Sequence, residues 1–375
     1  MARRFDEVHI ISKERNIEDR DKGLIKDEIA SNLAVHRVLD GLVSSNLAIL
    51  GVARDAGADV LFADGIGHAA SSLLCKKKSG IPLITFVQGY EADLKAIGLK
   101  LRLGMKPRPG LLSKLFAVYD SMVLRCSDKV LCVSNGLVTY AQGLLATKDW
   151  NRIEYIPHSL EYVKYVPEEA LMWAENIVGS TKASTKQRFP LLMVVGVGPS
   201  KGTDIALKAH RYIIKKNPDA VMIFASKTIN QKYVRMAKNL GLRDNLLLLQ
   251  SLRRDQVLAL LSHASIFLCP SFSEGFSWAV AEAMALGIPV VAYTNKSLRD
   301  AANKGAVAPV STINPKDFAR ECISLIGNEK IKEEFVQKAK DYVRPLTLFP
   351  EKKRFEMICN NIDQILSRQA VKCRS

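Results

Sequence analysis

The chain has 375 residues, 48% of them apolar and 25% charged, with 22 glycines and 14 prolines, a composition that excludes collagen-like, mucin-like and wholly disordered proteins. Its 54 lysines and arginines exceed its 38 acidic residues by 16, and residues 191–375 hold 28 of the former against 16 of the latter. Such an excess attracts something anionic, whether nucleotide phosphate, nucleic acid or a lipid headgroup, and charge alone does not choose among them.

At roughly 150 residues per domain this length implies two domains, each large enough to bury a core without disulfides or metals. The seven cysteines (Cys75, Cys126, Cys132, Cys269, Cys322, Cys359, Cys373) are scattered, with no C-x-x-C pair, and the N-terminus carries no secretory pattern, which predicts reduced thiols in a cytoplasmic protein. Gln256–Ser273, one of the two longest stretches without Asp, Glu, Lys or Arg, contains His263, Pro270 and serines. It reads as a helix followed by a strand, not as a membrane span.

In chain order, short apolar runs alternate with longer amphipathic stretches, the pattern of β-α units that build parallel sheets. The first half offers strands at Val8–Ser12, Asp59–Ala63, Pro82–Val87, Lys129–Val133 and Ile153–Ile156. Lys76-Lys77-Lys78 suits the negative end of a helix dipole. Leu94–Phe116 interleaves leucines with Lys95, Lys100, Arg102, Lys106, Arg108 and Lys114 and has no acidic residue. That suits peripheral contact with an anionic membrane or a phosphate-bearing lipid through 94–116, and equally a solvated basic loop.

Further along, Ser180–Arg188 is polar and without period, and it is the best linker candidate. The expected organisation is a first α/β domain over 1–165, a connection over 166–189 and a second α/β domain over 190–345. The second half repeats the rhythm at Leu191–Gly196, Ala220–Ala225, Leu246–Leu249, Ser265–Cys269, Pro289–Tyr293 and Ala306–Pro309, so two doubly wound parallel-sheet domains are predicted. In Glu351–Arg368 the spacing of Phe355, Ile358, Ile362 and Ile365 predicts one apolar helix face.

Two segments carry chemistry. In Leu191–His210 a strand ends at Gly196, a turn containing Gly198, Lys201 and Gly202 follows, and a helix opens near Thr203. Such a turn presents N–H groups, a helix dipole and an ammonium to an anion, although a tight turn with no ligand has the same sequence. A dinucleotide reading fails because the next strand ends Ala225-Ser226-Lys227, with no acidic residue for a ribose.

In Pro270–Ala292 a strand ends at Cys269, a loop carries Glu274-Gly275-Phe276, and a helix from about Ser277 carries Glu282 before Gly287 and Pro289. Glu274 can accept from sugar hydroxyls, and N–H groups around Phe276 and Ser277 can donate to phosphate. Glu282 lies roughly 7–8 Å further on, a spacing that suits a sugar and a ribose at the two carboxylates. The alternative for Glu282 is a helix-face residue paired with a base, and its apolar neighbours, among which an unpaired charge is expensive, weigh against that alternative.

This sequence resembles glycosyltransferase family 4 of the GT-B fold. The resemblance rests on Lys201-Gly202, on Glu274 and Glu282 in a Glu-x7-Glu motif, on Glu282-Ala283-Met284 and on Gly287-Ile288-Pro289-Val290-Val291, with Arg254–Ser271 as the preceding helix and strand. It is strong over 190–345 and weaker over 55–165. It implies two Rossmann-like domains facing a central cleft, with a C-terminal helix over about 350–368 crossing back to the first. It also implies retaining, metal-independent transfer of a hexose from a nucleotide diphosphate sugar to a glycan, glycolipid or lipid-linked acceptor. By resemblance Lys201 neutralises the donor phosphates, Glu274 holds sugar hydroxyls, Glu282 holds the ribose, and Gly275, Phe276 and Ser277 donate backbone hydrogen bonds; Gly198 and Gly202 complete the donor-binding set.

The sequence also departs from the family. The arginine that usually precedes the lysine is missing, leaving Lys227, Arg253 or Arg254 to replace it, with Arg253 as our candidate. A histidine usual after the strand Pro82–Val87 is replaced by Gln88, which hydrogen-bonds but shuttles no proton near neutral pH, so at a domain cleft it reads as an orienting residue, and equally as part of a plain turn. Val8–Ser12 resembles the family's second strand, with no glycine-rich loop before it, and His158 reads as a hinge-loop residue. The expectation is a cytoplasmic enzyme, peripheral at the inner membrane face, with no metal, no cofactor and no nucleic-acid partner. The competing expectation is a catalytically inactive GT-B scaffold that binds sugar nucleotides.

Overall fold

The computed structural model describes residues 8–14, 33–39, 42–105, 110–180 and 191–372. They fall into two compact units, one bounded by Met1–Ala92, Ser113–Pro157 and Lys352–Ser375, the other by Asp93–Leu112 and His158–Glu351.

In the first unit β1 (Val8–Glu14) pairs in parallel with β2 (Leu33–Leu39), Val8 opposite Leu33 and Glu14 opposite Leu39. A separate four-stranded sheet orders β3 (Leu61–Asp64), β4 (Leu83–Val87), β5 (Lys129–Cys132) and β6 (Ile153–Tyr155) as they occur in the chain, all parallel. The β4 run LITFV is buried at every position, as a parallel strand covered on both faces must be. Helix Ile66–Ser79 ends at left-handed Gly80, and Lys76 in its last turn pairs with Asp128, whose Oδ2 also accepts from the Leu83 N–H at 2.8 Å. Lys76 of the basic triplet thus anchors the helix to the sheet besides meeting the dipole. From residue 352 the chain is again part of this unit, where helix Glu351–Lys372 buries Ile358, Cys359, Ile362 and Ile365 and Asn361 Nδ2 donates to Glu154 at 3.1 Å.

The second unit holds a six-stranded, all-parallel sheet ordered β12-β11-β10-β7-β8-β9. These strands are β7 (Leu191–Val195), β8 (Val221–Ser226), β9 (Leu246–Gln250), β10 (Ile266–Cys269), β11 (Val290–Tyr293) and β12 (Ala308–Val310), each within two residues of its sequence expectation. Apolar side chains alternate between faces: Leu191 and Met193 join one core, and Leu192 and Val194 join the other. The chain runs from β7 outward through β8 and β9, then returns to the other side of β7 as β10. This reversal opens a crevice at the carboxyl ends of β7 and β10, the place where open α/β sheets bind ligands.

The second unit is larger than the expected 190–345. Helix Glu168–Gly179, counted by sequence into the connection, buries Ala170 and Ala174 in its core, and Ile97 of the helix Glu91–Arg102 is buried in the same unit. Of the linker candidate Ser180–Arg188, all but Ser180 lies outside the described residues.

Candidate functional site

The crevice is built from the ends of β7 and β10. After β7 the turn closes on Gly202, at φ 65°, where helix Thr203–Lys216 begins. A Cβ at Gly202 would stand 2.4 Å from the Pro270 carbonyl oxygen, so only glycine lets this turn approach the β10 loop. Thr203 Oγ1 accepts from the Gly198 N–H at 2.8 Å and donates back to the Gly198 carbonyl at 3.1 Å, and the Phe272 N–H donates to the Ser200 carbonyl at 3.0 Å. The two loops are therefore tied to each other. Buried Asn295, after β11, braces the second loop by donating to the Ser271 carbonyl at 3.0 Å.

This scaffold aims Lys201 at Glu274: Nζ donates to Oε1 at 2.8 Å. None of the hydrogen bonds among the described residues uses the N–H groups of Gly275, Phe276 or Ser277. Helix Trp278–Ala285 follows, and its dipole adds positive potential at the same place. Left-handed Gly287, at φ 75°, ends it as the sequence predicts.

Glu282 is buried on that helix, and its Oε1 accepts from Tyr162 Oη at 2.6 Å and from Arg254 Nη2 at 2.7 Å. The Arg254 guanidinium stacks 4.0 Å from the Tyr162 ring centroid and 5.2 Å from that of Trp278. Burial, reinforced by the neighbouring Glu282 carboxylate, pushes the Tyr162 phenol well above its ordinary pKa, so it stays a donor. Partial burial opposes the charge on Arg254, but Glu282 and Tyr162 outweigh it and raise the guanidinium pKa. Burial, aided by the charge on Glu274, pushes the Cys269 thiol up to about 11, which makes it an inert wall and not a nucleophile at neutral pH.

A cavity of about 500 Å³ lies in this crevice, lined by Lys201, Arg254, Glu274, Phe276, Ser277 and Glu282, with Val195, Cys269, Pro270 and Trp278 among its other walls. Both carboxylates of the Glu-x7-Glu motif face one space, and Lys201 joins them. The remaining predicted residues have other positions. Gly275 belongs to the same loop without forming a wall. The Gly198 N–H is engaged by Thr203, and Gly202 serves as the close-approach glycine. Arg253 is a correction: its guanidinium turns to Asp255, at 2.9 and 3.1 Å, and to Glu169, at 3.4 Å, while the adjacent Arg254 lines the cavity. Glu282 does pair with a base, the alternative its apolar neighbours weighed against, yet it also faces the cavity. Gln88 lies in the first unit at the carboxyl end of β4, where Nε2 donates to Asp64.

Sequence reasoning missed Tyr162, Trp278 and the buried role of His158. His158 stands where the chain passes from the first unit to the second, as a hinge-loop residue would, and its ring centroid also packs 4.6 Å from that of Phe276 and 4.1 Å from that of Trp278, bracing the loop that carries the open N–H groups. Tyr162 is 120 positions from the carboxylate it serves, and no local pattern announces such a pair.

Residues 180–342 match the family described as Glycosyl transferases group 1. Among curated proteins the chain is 24% identical over 234 residues to the uncharacterized glycosyltransferase YqgM of Bacillus subtilis, covering 62% of this chain and 58% of that one. It is 26% identical over 172 residues to the UDP-Gal:alpha-D-GlcNAc-diphosphoundecaprenol alpha-1,3-galactosyltransferase of Escherichia coli, covering 44% and 43%. The chain spans about half the length of the curated relatives it matches. Among solved structures, the sucrose-phosphate synthase of Thermosynechococcus elongatus superposes with a TM-score of 0.75 at 13% identity, covering 96% of this chain and 90% of that one. Anabaena Alr3699/HepE, solved in complex with UDP-glucose, gives a TM-score of 0.63 at 16% identity, covering 90% and 86%. The fold is thus GT-B: two Rossmann-like domains built on parallel sheets.

Proposed function

We propose that the chain is a retaining, metal-independent glycosyltransferase that moves a hexose from a nucleotide diphosphate sugar to a glycan or lipid-linked acceptor. The observation that carries the reading is the meeting of Lys201, Glu274 and the unengaged N–H groups of Gly275–Ser277 in one crevice, with Glu282 in the same cavity. Breaking an anomeric C–O bond leaves negative charge on the departing diphosphate. Donors fixed in advance around that charge stabilise the transition state more than the ground state. An ammonium and two helix N-termini supply that positive potential without a metal ion.

In this reading the donor exchanges partners with the protein. Its pyrophosphate takes Lys201 from Glu274, and the freed carboxylate accepts from sugar hydroxyls. Arg254 supplies the arginine that the turn lacks, while Glu282, held by Tyr162, meets the ribose. Gln88 orients the acceptor side. The nucleotide sugar bound in the Anabaena structure and the lipid-linked acceptor in the name of the E. coli relative support the substrate classes. One observation favours the competing reading, an inactive sugar-nucleotide binder: Gln88 is hydrogen-bonded to Asp64 and shuttles no proton.

A thermal-shift screen of nucleotide diphosphate sugars tests binding, since a donor at a hundred times its dissociation constant adds about 2.7 kcal/mol of stability. Release of free hexose from the stabilising donor, abolished by Glu274→Ala, is the expected result for the enzyme. Stabilisation without turnover across glycan and lipid-linked acceptors would leave the binder, and no stabilisation by any donor would remove both readings.

A further inference from the structure

Helix Leu111–Arg125 has two apolar faces. One is spent on the first unit's interior, where Ser113, Asp120, Val123 and Leu124 are buried. The other carries Leu111, Leu115, Val118 and Met122 at positions one turn apart, each between 60% and 75% exposed. An isolated exposed leucine needs no explanation, but an aligned row along a whole helix does.

Charge selects what covers this row. The only acidic residue of the helix, Asp120, points inward, where its Oδ2 accepts from the Ala92 N–H at 3.0 Å and from Tyr140 Oη at 2.8 Å. The exposed charged side chains of the helix are both basic, Lys114 beside the row and Arg125 at its end, and the exposed phenol of Tyr119 is neutral. The chain as a whole carries a net charge of +16, which opposes pairing of two copies through the same face. Among the described residues no helix is long and apolar enough to cross a bilayer. An apolar row flanked by cations is the design of a helix that lies in the membrane interface, its side chains among the acyl carbons and its charges at anionic headgroups.

From this we infer that the outward face of Leu111–Arg125 docks the protein onto an anionic lipid surface. The contact is carried by the aligned Leu111, Leu115, Val118 and Met122, further along the chain than most of the basic segment 94–116 that the sequence singles out. The inference is independent of glycosyl transfer and stands or falls separately from it.

The test is co-sedimentation of the full chain with phosphatidylcholine vesicles, alone or containing about one third phosphatidylglycerol. Wild type is expected to pellet with the anionic vesicles and to partition at least about tenfold less onto the neutral ones. Leu115→Ser, Val118→Ser and Met122→Ser combined should reduce anionic-vesicle partitioning at least about tenfold, with an unchanged melting temperature because all three side chains are exposed. Lys114→Glu with Arg125→Glu should abolish the preference for anionic over neutral lipid. The inference is overturned if wild type stays in the supernatant with both vesicles or if the triple serine variant binds like wild type. It is equally overturned if lipid-free wild type is a dimer that the serine variant dissolves, since a second copy would then cover the row.

Discussion

The two units contain the same local device in two conditions. After β3, Gly65 at φ 105° leads into helix Ile66–Ser79, and the Glu91 carboxylate sits on its first N–H groups, 2.6 Å from Ile66 N and 2.9 Å from Gly67 N. After β10, the N–H groups of Gly275, Phe276 and Ser277 precede helix Trp278–Ala285, and no carboxylate among the described residues takes them; Glu274 is paired with Lys201. A helix N-terminus attracts an anion wherever it occurs. In the first unit the protein supplies the anion and the result is a cap; in the second the place is left for a ligand, beside a lysine that a phosphate can claim. Similar sequence signals, a glycine turn and a glutamate, thus mark structure in one unit and a candidate site in the other.

The sharpest way to break the comparison is to remove the charges of the open crevice. Lys201→Ala or Glu274→Ala should lower turnover of the donor by about two to three orders of magnitude, the scale of losing a preorganised charged contact at a transition state, while Glu91→Gln leaves turnover within about twofold. Steady-state kinetics on the three variants checks this. Equal losses from all three would erase the distinction between cap and site.

The scaffold of the open crevice carries a pH signature. Burial pushes the His210 imidazole, in the helix that starts at Thr203, down to about 4, although its hydrogen bond with the Asn245 carbonyl at 2.8 Å works the other way. The folded protein therefore resists a proton that the unfolded chain accepts at its ordinary pKa near 6.5. The His210 contribution to stability is constant above that pH, is lost as pH drops from about 6.5 to 4 by an amount of the order of 3 kcal/mol, and changes no further below. Urea unfolding as a function of pH should show this slope in wild type and a weaker one in His210→Gln.

Gly202→Ala tests the close approach of the two loops. Its Cβ would meet the Pro270 oxygen at 2.4 Å in a left-handed backbone, so a loss of about 2–3 kcal/mol is expected by chemical denaturation. The smallest effect belongs to the filled helix end: Glu91→Gln removes a charged cap and should cost about 1–2 kcal/mol of stability with no change in donor affinity.

Much of the second unit was legible because each of its strands is an unbroken apolar run bounded by turn residues, and because the motif glutamates are close in sequence. The same logic failed for β2, Leu33–Leu39, where His36 and Arg37 interrupt the run. It also failed where neighbours differ only in helix phase: Arg253 and Arg254 are equivalent as letters. Yet the Arg253 N–H donates to Gln256 Oε1 at 3.0 Å at the helix start, which leaves the next side chain to face the cavity. Tyr162 and His158 reach the site through the fold, from a turn that sequence assigned to the first domain. Long-range pairing of that kind leaves no periodic trace.

The partner exchange at Lys201 is tested most directly by calorimetric titration of a nucleoside diphosphate, and of the matching nucleoside without phosphates, into wild type and Lys201→Ala. The diphosphate should bind wild type at least about tenfold more tightly than the variant, while the nucleoside binds both alike. Equal diphosphate affinity in the two proteins would contradict the assignment of this crevice to a pyrophosphate.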